Sequence, residues 1–517
     1  MPAAEQPKLI DLPEQPAAAP ETERRGELKV RTVNRQQTML AQIDVEELIR
    51  YDHKARAIWE LLERMDLSQF REPLRTTQGC AGRPAWDPHL LVSLWVYAYR
   101  EGIGSAREIE RRMPWEPGMQ WLSGLETVNA HTLADFRVEH QKALDELFAQ
   151  LLALLEGEGL VDLRQVMHDG TKIRAQAGAD SFRREKTLRQ RLGEAREAVK
   201  QMGDPRAETG APKRREAARE RATRERAKRL EAALQELQTL QAEQTTEEEK
   251  AEVRVSLSEP EARVMKHGDH AIVPSYNAQI STESGHKLIV GVHLSQSSSD
   301  AQSLMPAVEE VEQNLEKKPE QMVVDGGFTN RNNIIECAAK GIDLIGSLPA
   351  TEERSAAAMK SHGIDESFAP HHFRVLAEGH GLQCPGGCTL PYVRQSQKRG
   401  DRYEQYQARR EDCQACRYQP QCCPKIGRMG RTVSIRVKEQ EEVEAFRKKM
   451  ELPEKRAAYR KRGEVAEFPN AWIKEKLGLR KFRVRGVVKA GSELVWACLT
   501  YNMMQWVRLI WRPRVMA

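Results

Sequence analysis

The sequence predicts a mixed α/β fold, in which an all-helical region precedes a sheet and two further segments are inserted. Three observations predict this class. Apolar residues recur at helical spacing before residue 160, five short strand-like runs alternate with helical segments after it, and six of the nine cysteines fall between Cys384 and Cys423. Alternation of strands with helices indicates a mixed sheet on which helices pack.

The composition indicates a folded protein with polar insertions. The chain has 517 residues, of which 40% are hydrophobic and 30% are charged, and its formal net charge is +5. This length allows roughly two to four domains. No run of about 18 apolar residues occurs, and the chain does not begin with a basic stretch followed by an apolar one. We therefore expect neither a membrane span nor secretion.

The first 160 residues divide into an arm and a helical domain. Residues 1–40, with "PEQPAAAPETERR", are rich in proline, alanine and charge, which predicts a disordered arm. Residues 41–160 predict a compact all-α domain. Ser105 is a candidate N-cap, with Glu108 three residues later as in a capping box. One helix has an apolar stripe of Leu90, Leu91, Leu94, Trp95 and Ala98.

Residues 161–350 and 440–510 predict a single α/β domain that is interrupted twice. Its strand-like runs span residues 163–169, 275–282, 287–294, 321–325 and 342–348. Helical segments are predicted at residues 301–316, 329–340 and 466–477. The order is three strands, a helix, a strand, a helix, a strand and a late helix.

The first interruption, residues 182–250, predicts a charged helical hairpin. Apolar positions alternate four and three residues apart at Leu188, Leu192, Ala195, Val199 and Met202, and again from Ala227 through Leu230, Leu234 and Leu237 to Gln241. The break between the two stripes contains Gly203, Pro205, Gly210 and Pro212. The alternative is a charged and partly disordered insert.

The second interruption, residues 380–428, is rich in cysteine. The spacing is C-x3-C, then C-x2-C, then an adjacent pair, and two close pairs are what a tetrahedral zinc site requires. The predicted zinc ligands are Cys384, Cys388, Cys413, Cys416 and Cys422, and the sixth cysteine is surplus. The alternative is a set of reduced cysteines without a metal.

Two aspartates follow strand-like runs and precede glycine. Asp169, in "VMHDGTKIRAQAG", is expected to end the first strand, and Asp325, in "MVVDGGFTN", the fourth. Glycine lets a ligand approach the backbone closely, although Asp-Gly is also a common turn dipeptide. Neighbouring central strands would bring both carboxylates to one end of the sheet. The late helix offers a third acid, Glu467, with Lys474 seven residues on, on the same face.

These motifs resemble those of bacterial insertion-sequence transposases, which carry a DDE triad on an RNase H-like fold. "GRPAWDPHLLVSLWVYAYREGIGSAREIERR" is similar to the family's helical N-terminal domain, "HDGTKIRAQAG" and "VVDGGFTNRNNI" to its two aspartate motifs, and "SYNAQISTESGHKLIVG" to its second and third strands. Tyr459 and Arg462 precede Glu467 by eight and five residues, which, with Lys474, is close to the family's Tyr-Arg-Glu-Lys signature. The resemblance covers about residues 40–510 in the right order.

The resemblance implies that Asp169, Asp325 and Glu467 bind Mg²⁺ or Mn²⁺ and catalyse cleavage at transposon ends and joining of the 3′-OH to target DNA. Mg²⁺ takes oxygen ligands, so three acids can hold two ions. Tyr459, Arg462 and Lys474 would contact the DNA. Two departures occur: Asn470 replaces the usual aromatic residue three positions after the glutamate, and Glu464 is a rival for the third ligand, although it lacks a lysine seven residues on.

A basic C-terminal run is the other feature that favours DNA. Arg480, Lys481 and Arg483 lie within it, and a phosphate backbone is its natural partner, although a solvated helix face has the same composition. The resemblance implies double-stranded DNA partners, a homodimer or larger synaptic complex, and action at the nucleoid in the cytoplasm. The alternatives are an RNase H-like nuclease without strand transfer and a non-catalytic DNA-binding protein.

Overall fold

The computed structural model describes residues 42–72, 84–202, 213–348, 359–376, 381–398, 401–436 and 440–517. The predicted disordered arm and the predicted break between the two charged helices lie outside the described residues. Val45–Ala517 form one compact unit. Within the described ranges, no helix combines the length and the apolar character needed to cross a bilayer.

Helices make up the region before the sheet. After a 3-10 turn at Glu46–Leu48 they are α1 (Lys54–Glu63), α2 (Ser68–Arg71), α3 (Pro88–Arg100), α4 (Ala106–Arg112), α5 (Pro117–Ser123), α6 (Ala130–Glu139) and α7 (Gln141–Gly157). Asp87 caps α3 by accepting from His89 N, and the predicted apolar stripe of α3 is buried. Ser105 is the N-cap residue of α4, as predicted, but the predicted capping box is wrong: the Ser105 side chain makes no cap hydrogen bond, and the Glu108 carboxylate pairs with Arg111 and Arg112.

The central sheet has six strands with the order β4-β5-β1-β7-β8, and β6 also pairs with β5. The elements of this part are β1 (Val166–Arg174), β2 (Phe182–Arg183), α8 (Glu185–Met202), α9 (Lys213–Ala242), α10 (Glu247–Glu252), β3 (Val255–Ser256), β4 (Arg263–Lys266), β5 (Ile272–Glu283), β6 (Ile289–Ser295), α11 (Leu304–Leu315), β7 (Gln321–Val323), α12 (Arg331–Ala339) and β8 (Asp343–Ile345). β1 runs antiparallel to β5 and parallel to β7. The predicted mixed α/β class with a helical N-terminal region is confirmed.

The cysteine-rich segment contains a second sheet, which has five antiparallel strands in the order β13-β12-β11-β10-β9. Its elements are β9 (Arg374–Val375), β10 (Gly381–Gln383), β11 (Thr389–Lys398), β12 (Asp401–Gln407), α13 (Arg410–Gln414), α14 (Gln419–Cys422) and β13 (Thr432–Arg436). Phe373, Leu382, Leu390, Tyr406 and Val433 form its small core.

The chain ends in helices that pack against both preceding regions. They are α15 (Glu441–Met450), α16 (Pro453–Glu475), α17 (Val487–Trp506) and α18 (Arg512–Met516), with a π-helical turn at Val507–Trp511. The buried α17 contacts α3, α7 and β6. The Asn502 side chain accepts a hydrogen bond from Ile289 N at 2.9 Å and donates one to Ile289 O at 2.7 Å, which ties α17 to β6.

The charged helices α8 and α9 pack against each other. Leu188, Leu192 and Ala195 of α8 are buried with Ala227, Leu230, Ala233 and Leu237 of α9, so a separate small core holds the pair together.

Candidate active site

The parallel strands β1 and β7 bring Asp169 and Asp325 to the same level of the sheet. Met167 lies opposite Val323, so each aspartate follows its paired residue by two positions. The prediction that Asp169 ends its strand is wrong, because β1 continues to Arg174. Asp325 does follow its strand, and its Oδ1 accepts from Gly327 N at 2.7 Å and from Phe328 N at 3.3 Å.

Asp169 is a partly buried acid in a negative environment. Its side chain is 18% exposed. Burial raises the pKa of Asp169 to about 6; Arg462 opposes this rise, whereas the charges of Asp325 and Asp300 add to it. The site therefore attracts positive charge.

The helix α16 lies against this part of the sheet. Val465 and Ala466 share a buried cluster with Met167 and Val323, and the ring of Tyr459, predicted to contact DNA, packs against the same cluster. Because α16 begins at Pro453 rather than near residue 466, Tyr459 is a helical residue that faces this core.

Three polar side chains of α16 face β1. Asn470 Nδ2 donates to Asp169 Oδ2 at 3.2 Å, and Arg462 Nη1 lies 3.6 Å from Asp169 Oδ1. Lys474 Nζ donates to the Thr171 hydroxyl. Burial lowers the pKa of Lys474, while the charge of Asp169 raises it. Sequence reasoning noted Asn470 only as a departure from the family pattern and missed its contact with the first aspartate.

The third predicted acid is not in contact with the aspartates. Glu467 is exposed, and its Oε1 lies 3.3 Å from the position that a Cβ would occupy on Gly463, so the side chain turns back along α16. The rival Glu464 is engaged elsewhere, since its Oε1 lies 3.0 Å from Lys287 Nζ. Across the described residues, no group of three His, Cys, Asp or Glu side chains is arranged to hold a metal ion. The assignment of Glu467 stays a prediction.

An acid that sequence reasoning missed lies beside the two aspartates. Asp300, in the loop between β6 and α11, accepts from Asn277 Nδ2 at 2.7 Å and from Gln279 Nε2 at 3.0 Å. The sequence gives no motif for Asp300, because its polar stretch, "SQSSSDAQS", has the composition of an ordinary loop.

The basic C-terminal residues differ in their freedom to bind phosphate. Arg480 pairs with Glu475, and both side chains are largely exposed. Lys481 is exposed. Arg483 differs, because its backbone N–H donates to the buried Glu493 at 2.7 Å and its Nη1 lies 3.6 Å from Glu493 Oε1. The Arg483 side chain is therefore held by the protein itself.

All six clustered cysteines line one cavity of about 30 Å³. They are free thiols, with Cys388 N donating to Cys384 Sγ and Arg431 N to Cys413 Sγ, each at 3.3 Å. Burial raises the pKa of Cys422 to about 11, while the Arg431 charge opposes that rise. A bound cation would favour the thiolate forms.

Two segments of the chain match known protein families. Residues 383–507 match the family model described as Transposase DDE domain. Residues 43–139 match the one described as Transposase domain (DUF772). Both matches are to transposase families, and together they support an insertion-sequence DDE transposase. No curated protein and no solved structure matches it.

The DDE match begins at the end of β10 and covers β11 to β13 of the cysteine-rich sheet and all of α15, α16 and α17, so it includes Glu467, Asn470 and Lys474. Asp169 and Asp325 lie outside both matched segments, so their place in the site rests on the sheet geometry. The family matches indicate a transposase function.

Proposed function

We propose that the protein cleaves phosphodiester bonds at the ends of its transposon and joins the freed 3′-OH to target DNA. The observation that carries the proposal is the pairing of β1 with β7, which sets Asp169 and Asp325 side by side below a helix that bears Arg462, Asn470 and Lys474. The strand order β6-β5-β1-β7-β8, antiparallel then parallel, supports the RNase H-like assignment.

The oxygen groups around Asp169 fit Mg²⁺ or Mn²⁺. Asn470 is 7% exposed, its amide nitrogen donates to Asp169, and its Oδ1 has no hydrogen-bond partner. An unpaired buried acceptor next to a carboxylate suits a hydrated cation, and Mg²⁺ usually takes only one or two carboxylates plus waters and phosphates. Asp169 and Asp325 would hold the ions, with Glu467 as the third acid one helical turn before Asn470. When bound, such ions activate the attacking oxygen and stabilise the leaving oxygen.

The proposed reaction has two steps, and the second step conserves the number of phosphodiester bonds. First, a water oxygen bonds to phosphorus and the P–O3′ bond breaks, which leaves a 3′-OH on the transposon end. That hydroxyl then attacks a target phosphodiester, whose own P–O3′ bond breaks, so no nucleoside triphosphate is needed. Lys474 and Arg462 would neutralise the phosphates and orient them for in-line attack.

Charge-neutral variants test the proposal. D169N, D325N and E467Q should each lower cleavage of transposon-end DNA by orders of magnitude, because each keeps the shape of the side chain but removes charge that faces the metal. DNA affinity should persist. The substrate is found by reading the terminal inverted repeats that flank the gene.

The matched control is E464Q, which removes an acid from the same helix. Normal cleavage by E464Q together with loss in E467Q supports the third assignment, and the reverse pattern transfers the role to Glu464. Cleavage without joined product in the unaltered protein would favour the nuclease alternative. Full activity of D169N or D325N would contradict the proposal.

We also propose that the cysteine-rich segment holds one structural zinc ion. The support is the shared cavity lined by Cys384, Cys388, Cys413, Cys416 and Cys422, since zinc needs four thiolate or imidazole ligands. Elemental analysis of protein purified under reducing, chelator-free conditions should find about one zinc per chain, and C413S should lose it. C337S, which alters a buried cysteine of α12, is the control. Zinc-free protein would leave these thiols as packing residues.

A further inference from the structure

Asp300 is the end of a buried chain of hydrogen bonds behind β1. Its Oδ1 accepts from Asn277 and Gln279, which are 1% and 0% exposed. Because the Gln279 amide nitrogen donates to Asp300, the Gln279 Oε1 faces His168 Nε2, at 2.9 Å. The fully buried His168 also lies 2.9 Å from the Ser281 hydroxyl through Nδ1. Gln279 and His168 thereby gain partners away from water.

The Asp300 carboxylate occupies space that Gly170 leaves open, and it lies near Gly327 at an ordinary contact distance. A Cβ on Gly170, the residue after Asp169, would lie 2.6 Å from Asp300 Oδ1. A Cβ on Gly327, two residues after Asp325, would lie 3.6 Å from Asp300 Oδ2. The carboxylate is therefore packed against both segments that carry the predicted catalytic aspartates.

The loop of Asp300 is also tied to the Asp325 segment. The Asn330 and Asn333 amide groups donate to Ala301 O at 2.8 Å and 3.0 Å. The Phe328 ring stands edge-on to His168, with 4.8 Å between ring centroids. Asp300 and Ala301 therefore link β5 to the Asp325 segment, and the contact of Phe328 with His168 links that segment directly to β1.

We infer that Asp300 is a positioning residue, which sets the spacing between the Asp169 and Asp325 backbones through Gly170 and Gly327. The inference rests on the proposed function. The Asp325 segment lies beyond the last pair of β1 with β7, Met167–Val323, so Asp300 adds a support for it besides the contact of Phe328 with His168. A displacement of about 1 Å in such a site can lower turnover about 100-fold.

Substitutions at residue 300 separate positioning from other roles. D300A removes the acceptor of two buried amide groups, and we expect kcat to fall about ten- to a hundredfold with KM for DNA little changed. D300N keeps an oxygen acceptor of the same shape and should restore most of kcat. D269A, which removes an exposed aspartate from the β4–β5 turn, is the matched control.

Mn²⁺ binding is a readout that does not depend on turnover. In protein without DNA, Mn²⁺ titration by electron paramagnetic resonance should show weaker binding for D300A and near-normal binding for D300N. G170A should reproduce the D300A defect, because its Cβ would displace the carboxylate, and the double variant G170A/D300A should be little worse than either alone. G170A and D300N carry the test should D300A fail to fold.

Two outcomes would overturn the inference. Unchanged kcat and Mn²⁺ affinity in D300A would leave Asp300 as a loop residue, and a D300N variant as impaired as D300A would make its charge, rather than its position, the active feature. Failure of the proposed function looks different, since D169N and D325N would then also bind Mn²⁺ and cleave normally.

Discussion

Glu493 is a fully buried acid on α17 between two arginines. Arg137 Nη1 and Arg483 Nη1 each lie 3.6 Å from its Oε1, and the Arg483 backbone N–H donates to its Oε2. Burial raises the pKa of Glu493, and both arginines oppose the rise. Arg137 also donates to Gly104 O at 2.7 Å and stacks on Trp95. The acid therefore compensates buried positive charge that has few other partners.

Removal of Glu493 should destabilise the protein strongly. E493A leaves two arginines without their counter-charge, and we expect a loss of about 3–5 kcal/mol in the free energy of unfolding, measured by urea denaturation. E475A, which breaks the exposed pair with Arg480, should cost no more than about 1 kcal/mol. Equal small losses in both variants would show that the buried pair contributes little.

The two aspartates of the site could be predicted because each follows an apolar run and precedes glycine. Asn470 and Asp300 could not, because their importance depends on contacts across the chain rather than on neighbouring residues. Sequence spacing placed Glu467 on the right helix, but its side-chain direction depends on rotamers that spacing does not specify. The Gly170 position illustrates the limit: the glycine was visible in the sequence, whereas the Asp300 carboxylate that requires it was not.

At the scale of elements, α7 packs against α11, and each helix carries an acid whose charge affects the other: Asp145 on α7 and Glu310 on α11. Burial raises the pKa of Glu310 to about 7, and the charge of Asp145 adds to the rise. The folded protein therefore holds a proton on Glu310 that the unfolded chain, with a pKa of about 4.3, releases. The resulting stability is present below about pH 4 and is lost as the pH rises through about 7.

A pH series of thermal unfolding tests this contact. The midpoint of unfolding should fall between about pH 5 and pH 7, and E310Q should flatten this fall and raise the midpoint at pH 8, because the amide carries no charge to release. E309Q is the control, since the exposed Glu309 pairs with Lys340 on the surface. An unchanged pH profile in E310Q would assign the dependence to another group.

The strands of the central sheet were predictable, whereas the five-stranded sheet of the cysteine-rich segment was not. β5 alternates apolar and polar residues from Tyr276 to Ser281, and β6 begins with an apolar, largely β-branched run, and both patterns signal strands locally. β11, "TLPYVRQSQK", is polar and exposed along most of its length, so its strand form depends on pairing with β12. The late helix, predicted at residues 466–477, begins at Pro453 as α16. Proline is typical of a first helical turn, but Pro469 lies deep inside this helix.

At the scale of the whole molecule, the two family-matched segments share one core. Arg137 lies in the first match and Glu493 in the second, and α17 packs on α3 and α7 of the helical region. The helical region and the site-bearing sheet therefore belong to one compact unit.

The basic run near the C-terminus gives a salt-dependence prediction. R480A/K481A should weaken DNA binding and reduce the slope of log K against log salt by up to about 1.8, at about 0.9 for each lost phosphate contact. K317A/K340A removes the same charge outside this run and should leave the slope nearly unchanged. Arg483 is left intact because it stabilises Glu493. An unaltered slope in R480A/K481A would identify these residues as a solvated face.

The hydrogen bond between Asp169 and Asn470 joins residues 301 positions apart. Ribosomes add about 5–20 residues per second, so the first aspartate would leave the ribosome roughly 15–60 seconds before the helix that contacts it. Before that time a growing chain has its N-terminal helices but lacks Arg462, Asn470 and Lys474 beside Asp169. On the proposed function, a chain truncated before α16 lacks these three groups beside Asp169, and we expect such a product not to cleave DNA.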